Sequence, residues 1–206
     1  MTDTEFLGTL NNGWDEAGNW DNGIPTGADT ATISSGCALQ SATVCGAVRV
    51  DGVTLVISGY DFTLSGTTGA ACVVQNGGVF DASAGTPTVR IGEGYTSNWG
   101  LELVNNGEYT GSSGETYIGS FVATNGTVFE GNGMTRINGY RDYTTYGYVG
   151  AIESACTFTQ GDNWEFNIPD TLPMKLLMEC TTTNNVDFVG ATSGTHIWLG
   201  NSAGNA

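Results

Sequence analysis

The sequence predicts an all-β chain: a single-stranded parallel β-solenoid (β-helix) with a Trp-rich cap at its N-terminus. Three observations carry that prediction. Short β-forming runs recur in the same order, Asn-Gly or Asp-Gly steps stand at their junctions, and glycine is abundant while charge is scarce. Of 206 residues, 32 are Gly and only 4 are Pro, and charged residues make up 13% of the chain. That is about half the charge of an average globular domain. Residues 1–34 read as an N-terminal arm and cap, and residues 35–206 as solenoid repeats.

The repeats begin with three segments that align directly. These are Val74-Gln-Asn-Gly-Gly-Val-Phe80, Val104-Asn-Asn-Gly-Glu-Tyr-Thr110 and Ala123-Thr-Asn-Gly-Thr-Val-Phe129. Each is answered by a second short run: Thr88-Val-Arg-Ile-Gly92, Thr116-Tyr-Ile-Gly119 and Thr135-Arg-Ile-Asn138. From the Asn of Asn-Gly to that Thr the distance is 12, 10 and 10 residues. Weaker copies flank them, one from Asp51-Gly52 to Thr63 and one from Asn185 to Thr195. Fixed spacing of this kind marks a repeat architecture, in which one unit cannot bury its apolar face alone but stacked units can.

Within each unit the local code is strand. Val48-Arg-Val-Asp and Val53-Thr-Leu-Val-Ile57 alternate and are rich in β-branched residues. Asn-Gly ordinarily signals a hairpin, because both positions tolerate a positive φ. Hairpins, however, would pair adjacent runs as mirror images, whereas these runs repeat by translation. Stacking at about 4.8 Å, six to eight coils would make a rod of roughly 30–40 Å. Residues 171–180 are the one helix-compatible stretch, and they read equally as another buried strand.

Composition excludes several classes of function. Twenty-one acidic residues against five basic ones give a formal net charge of −16. Nucleic acid is not an expected partner, since phosphates require Lys and Arg, and an anionic membrane surface is disfavoured likewise. No apolar run reaches the roughly 18 residues that span a bilayer. A hydrophobic fraction of 39% with 8 Tyr, 8 Phe and 5 Trp is too rich for disorder. The start, Met1-Thr-Asp-Thr-Glu-Phe, lacks the basic and apolar regions of a secretory signal, so assembly in a cytoplasm is expected. Cys37, Cys45, Cys72, Cys156 and Cys180 are odd in number and form no CxxC pair. They read as reduced, buried small hydrophobes, with a Cys37–Cys45 disulfide as the rival.

The strongest local motif is Trp14-Asp-Glu-Ala-Gly-Asn-Trp20-Asp-Asn-Gly-Ile-Pro25-Thr-Gly-Ala-Asp29-Thr-Ala-Thr-Ile33. It resembles the entry sequence of β-helical repeats in bacterial autotransporter passengers and adhesins, and the opening of some β-helical bacteriophage virion proteins. The resemblance covers about twenty residues and implies fold rather than activity. Physically, a solenoid must close its first coil, which otherwise exposes strand edges and apolar side chains. Trp14, Trp20 and Pro25 are the candidate plug, with sugar stacking on Trp14 or Trp20 as the alternative.

Catalytic chemistry finds little to build on. His196 is the single histidine, and no Gly-x-Ser-x-Gly elbow is present. Paired carboxylates remain, as in solenoids that resemble tailspike depolymerases and pectin-degrading enzymes. A glycosidase needs two carboxyls about 5–9 Å apart, and Asp81, Glu108 and Glu130 follow Asn-Gly motifs at similar places. No calcium-binding nonapeptide or EF-hand loop occurs. Weak calcium binding at residues 15–21 or 161–164 is the sole cofactor option, set against a solvated acidic surface.

These readings converge on a non-enzymatic structural protein of a virion, a phage capsid decoration or other outer-shell component. A surface adhesin that binds glycans is the second expectation, at the cell surface, and a polysaccharide-degrading tailspike fragment the third. The polar end, Asn201-Ser-Ala-Gly-Asn-Ala206, offers nothing to cover a last coil. A homo-oligomer is therefore expected, a trimer by analogy, or docking on capsid or other virion proteins. Tyr140, Arg141, Tyr143, Tyr146 and Tyr148 form the candidate interface, because Tyr and Arg are enriched at interfaces.

Overall fold

The computed structural model describes residues 2–65, 70–92, 100–123 and 126–137, together with the backbone of six later strands. The first strands are β1 (Asp3–Phe6), β2 (Thr30–Ile33), β3 (Cys37–Ala38), β4 (Thr43–Cys45), β5 (Ala47–Asp51), β6 (Thr54–Val56) and β7 (Phe62–Leu64). Next come β8 (Cys72–Gln75), β9 (Val79–Asp81), β10 (Val89–Ile91), β11 (Gly100–Leu103), β12 (Glu108–Thr110), β13 (Glu115–Ile118), β14 (Ser120–Ala123), β15 (Val128–Gly131) and β16 (Met134–Ile137). The six later strands are β17 (Gly150–Ile152), β18 (Thr157–Gln160), β19 (Trp164–Asn167), β20 (Lys175–Met178), β21 (Val186–Val189) and β22 (His196–Leu199).

These strands form sheets whose ladders are all parallel. The first sheet has nine strands in the order β1-β2-β5-β8-β11-β14-β17-β20-β22. The second has six, β3-β6-β9-β12-β15-β18, and the third seven, β4-β7-β10-β13-β16-β19-β21. From β2 to β20 the chain visits first, second and third sheet in turn, so each strand pairs with the one three places on. The 171–180 stretch contributes β20, a strand. The first sheet starts at β1, so residues 1–34 already supply two of its strands. No helix among the described residues is long and apolar enough to cross a membrane.

Register turns the alternation seen in the sequence into columns. On the first sheet Ala31, Val48, Cys72, Leu101 and Phe121 share one column. Ile33, Val50, Val74, Leu103 and Ala123 share another. The second sheet aligns Leu55, Phe80, Tyr109 and Phe129, and the third aligns Leu64, Ile91 and Ile118. All of these side chains are buried, each contributing about 1.5–3 kcal/mol of hydrophobic transfer when large and aliphatic or aromatic. Between them, Thr32, Arg49, Thr63 and Arg90 stand at exposed or half-exposed places.

The corners correct the sequence alignment by one residue. Because Val74 pairs with Leu103 and Phe80 with Tyr109, the equivalent of Asn76-Gly77 is Asn105-Asn106, not Asn106-Gly107. Asn76 and Gly77 take φ of 56° and 75°, and Asn105 and Asn106 take 49° and 63°. Asn tolerates this left-handed region through local hydrogen bonding, so Asn-Asn serves where Asn-Gly was expected. The side chains also ladder: Asn105 Nδ2 donates to Asn76 Oδ1 at 3.4 Å, and Asn76 Nδ2 to Asp51 Oδ1 at 2.7 Å.

Two further repeat assignments shift. Thr116 shares its column with Thr135, Val89 and Phe62, so Thr88 and Thr63 each lie one residue out of phase with it. The site wants a β-branched or apolar shape, and Thr116 satisfies its hydroxyl with Tyr109 Oη at 3.2 Å. In the last copy, β21 joins the third sheet and β22 the first. That copy is displaced by one face from the others, because spacing alone does not say which sheet a run will enter.

Candidate functional site: the N-terminal end of the sheets

Three edge strands define this end, and two of them are closed by the chain segment between β1 and β2. Along β1, Glu5 N–H donates to Asp21 Oδ1 at 2.7 Å, Asp21 N–H to Glu5 O at 3.1 Å, and Leu7 N–H to Asn19 O at 2.6 Å. Along β3, Ala38 N–H donates to Asn12 O at 2.7 Å and Trp14 N–H to Ala38 O at 2.9 Å. Backbone groups that would otherwise invite another chain are thereby paired.

Aromatic rings fill the space behind these edges. Trp14 is 1% exposed and Trp20 5%, and Pro25 is buried. The Trp14 and Trp20 ring centroids lie 4.8 Å apart, edge to face. Phe6 meets Trp20 at 5.0 Å and Phe62 meets Trp14 at 5.9 Å. The contacts continue through Phe80, Tyr109, Phe129 and Phe121 with centroids 4.9–5.8 Å apart. Trp20 Nε1 donates to Trp14 O at 2.7 Å, whereas Trp14 Nε1 is buried without a hydrogen-bond partner.

Sequence reasoning passed over Asn19. It is fully buried, and its Oδ1 accepts from Leu10 N–H at 2.8 Å and Asn11 N–H at 3.3 Å. Its Nδ2 donates to Asn11 Oδ1 and Gly13 O, both at 2.9 Å. A buried amide must be satisfied in this way, and it organises the loop that carries Trp14. The available signal was a polar residue placed directly before an aromatic one in the quoted motif.

The acids of this end hold backbone. Asp29 accepts from Thr26 Oγ1 at 2.7 Å and from the Thr2 and Thr26 N–H groups at 3.0 and 3.1 Å. The Thr26 hydroxyl bond, with those N–H bonds, keeps the Asp29 carboxyl below the usual carboxylate range. Chiefly the Glu5 N–H bond does the same for Asp21. Asp15 Oδ2 accepts from Ser41 Oγ at 2.7 Å. No group of three or more metal-ligating side chains is gathered among the described residues.

The carboxylates considered for sugar chemistry do not share one position. Asp81 and Glu130 stand in one column with Thr110 between them, which separates their backbones by about 9–10 Å. Glu108 lies in the neighbouring column, paired with Val79 and Val128. It follows its Asn-Gly by two residues from Asn106, whereas Asp81 and Glu130 follow theirs by five from Asn76 and Asn125, so a shared following of Asn-Gly did not mean a shared place. Tyr140, Arg141, Tyr143, Tyr146 and Tyr148 lie outside the described residues, as do Cys156 and Cys180. His196 opens β22 in register with Lys175.

Cys37, Cys45 and Cys72 are buried free thiols, so Cys37 and Cys45 are not joined. Burial pushes the Cys37 thiol up to about 12 and Cys45 to about 11, from an ordinary 9.0, and Cys72 upward as well. Native protein should leave these three thiols unlabelled near neutral pH. Denaturation without reductant should then expose all five of the chain; a lower count would reveal a disulfide. With rising pH the unfolded thiols ionise near 9.0 while the folded ones resist until about 11–12. Their contribution to stability is intact below pH 9.0 and lost as pH climbs through that window. An alkaline titration followed by circular dichroism checks it.

Comparison of the chain with family models, with curated proteins and with solved structures finds no match.

Proposed function

We propose that the three parallel sheets wind as one single-stranded parallel β-solenoid, closed at its N-terminal end by Trp14, Trp20 and Pro25. We further propose that this rod is a non-enzymatic structural part of a virion, a capsid decoration or other outer-shell component. It works as a homo-oligomer, a trimer by analogy, or docked on a larger protein lattice. The observation that carries the reading is the run of ring contacts from Phe6 to Phe121 across all three sheets, in which Phe80, Tyr109 and Phe129 stack in register on successive strands. Such a core resists bending and shear, because sliding β12 past β9 or β15 would unstack Tyr109 from Phe80 or Phe129. Stiffness suits a scaffold or an attachment element. The virion setting rests on the resemblance of residues 14–33.

Antibodies raised against the purified chain should label banded virus particles, and the chain should sediment with assembled capsids. Light scattering should report a trimer in free solution. A glycan array should stay blank and reducing-sugar release should remain at background. Glycan binding without particle association would replace this reading with the adhesin, and sugar release would replace it with the depolymerase.

A further inference from the structure

The third edge strand at the N-terminal end, β4, is left open. Thr43 N–H donates to Asp61 O at 3.0 Å and Cys45 O accepts from Ser65 N–H at 2.8 Å, so Thr43 and Cys45 address β7. Alternation in a parallel ladder turns the N–H and C=O of Val44 the other way. On that side Gly46 N–H is taken by Thr26 O at 3.1 Å. The Val44 groups meet no described residue, and its side chain is 55% exposed. The edges of β1 and β3 are covered by the chain's own backbone, whereas along β4 that backbone reaches only the far end, at Gly46 N–H, with Gly27 next to the Val44 side chain.

The surroundings say what fits there. Leu7, Leu10 and Ile24, in the segment that closes the other two edges, are 46%, 67% and 40% exposed. Among the first 48 residues there are six acids (Asp3, Glu5, Asp15, Glu16, Asp21 and Asp29) and no Lys or Arg. Asp15 is tied to Ser41 just ahead of β4, and Asp61 lies beside β4 on the β7 side. A second copy offering the same end would bring like charges together. A basic segment would be drawn to this end, and the exposed Val44 side chain would give it an apolar surface to cover.

From this geometry we propose that the β4 edge is a docking site for an extended, basic segment of a partner protein, with Lys or Arg alternating with apolar residues. The segment adds as a strand beside Val44. Its backbone pairs with the Val44 N–H and C=O, its apolar side chains cover Val44, and its cations meet the acid-rich, Lys- and Arg-free N-terminal region. The proposal deepens the attachment role by naming the end and the chemistry of its partner. It is tested without particles, so loss of the virion reading and loss of this site give different results.

The probe is a short labelled peptide of alternating lysine and valine, titrated into the full chain by fluorescence anisotropy. Two peptides of equal length serve as controls, one of lysine and proline, which cannot form a ladder, and one of glutamate and valine. Both controls should bind at least about tenfold more weakly. Hydrogen exchange of the free chain should show the Val44 amide exchanging fast between protected Thr43 and Cys45 amides, and the lysine–valine peptide should protect it. Val44→Pro removes that N–H where no ladder bond uses it, and should weaken binding about tenfold or more with the circular dichroism spectrum retained. Val44→Lys keeps the N–H but places a cation at the centre, and should weaken binding too, so the outcome does not depend on the proline variant folding. Equal binding of the lysine–proline peptide, a Val44 amide that stays unprotected, or full affinity in the variants would overturn the proposal.

Discussion

Replacing Trp14 with alanine is expected to destabilise the protein by about 3–5 kcal/mol, the range for truncating a large buried aromatic. The ring is 1% exposed and stands between Trp20 and Phe62 at 4.8 and 5.9 Å. Truncation therefore breaks the aromatic run where the closing segment meets the sheets. Two milder variants separate packing from hydrogen bonding. Trp14→Phe keeps most of the ring and removes an indole N–H that has no partner, a group whose burial costs about 1–3 kcal/mol. That gain offsets the smaller ring, and the net change should stay within about 1 kcal/mol. Trp20→Phe instead removes the donor to Trp14 O and strands a carbonyl, so it should cost about 1–2 kcal/mol more than Trp14→Phe. Urea denaturation gives the order: the alanine variant least stable, Trp20→Phe next, Trp14→Phe nearest the parent. A Trp14→Phe variant as unstable as the alanine one would mean that the indole N–H has a partner.

The burial of Trp14 and Trp20 was legible in the sequence because aromatic residues in a glycine-rich, weakly charged stretch have few other places to go. Strand type and parallel pairing were legible for a related reason, since the β-branched alternation is strong and the units recur by translation. The phase of the repeats was harder to read. Asn and Gly both tolerate a positive φ, so Asn105-Asn106 substitutes for Asn-Gly and the dipeptide stops marking a fixed place. Thr and Val have nearly the same shape, so Thr116 sits in a column with Val89, and the Thr of each copy is no reliable anchor. Glu108 was misplaced for a simpler reason: it follows Asn-Gly at a shorter spacing than Asp81 and Glu130 do, and ladders place residues by count, not by order. Asn19 and the open edge at Val44 had no sequence signature of their own. The first depends on which backbone groups its loop leaves unpaired, and the second on which edges the segment between β1 and β2 reaches.

Gly107→Ala should be as damaging as losing a core side chain, although it adds only one carbon. A Cβ at Gly107 would sit on the Val74 carbonyl oxygen of the preceding turn, with Val74 C at 2.7 Å and Val104 O at 3.2 Å. Those neighbours are backbone, so no side chain can rotate away. Relief would require the two turns to separate. Yet Glu108 N–H donates to Gly78 O at 2.9 Å and Val128 N–H to Gly107 O at 3.1 Å, which clamps the glycine from both sides. The loss should be about 3 kcal/mol or more, the scale of overpacking that a rigid neighbour cannot absorb. Gly77→Ala is the control. Its φ is 75° with nothing within 4 Å of the added carbon, so only the left-handed conformation is penalised, at about 1–2 kcal/mol. Gly78 holds the matching place in the preceding repeat, where an added carbon would likewise meet backbone, Val50 O at 2.7 Å. Thr127 holds it in the following repeat and is buried there, so the close approach recurs at Gly78 and Gly107 and is relaxed at Thr127. Thermal unfolding of the two variants side by side decides it. If Gly107→Ala melts with or above Gly77→Ala, the turns are not stacked as tightly here as the Val74 contact requires.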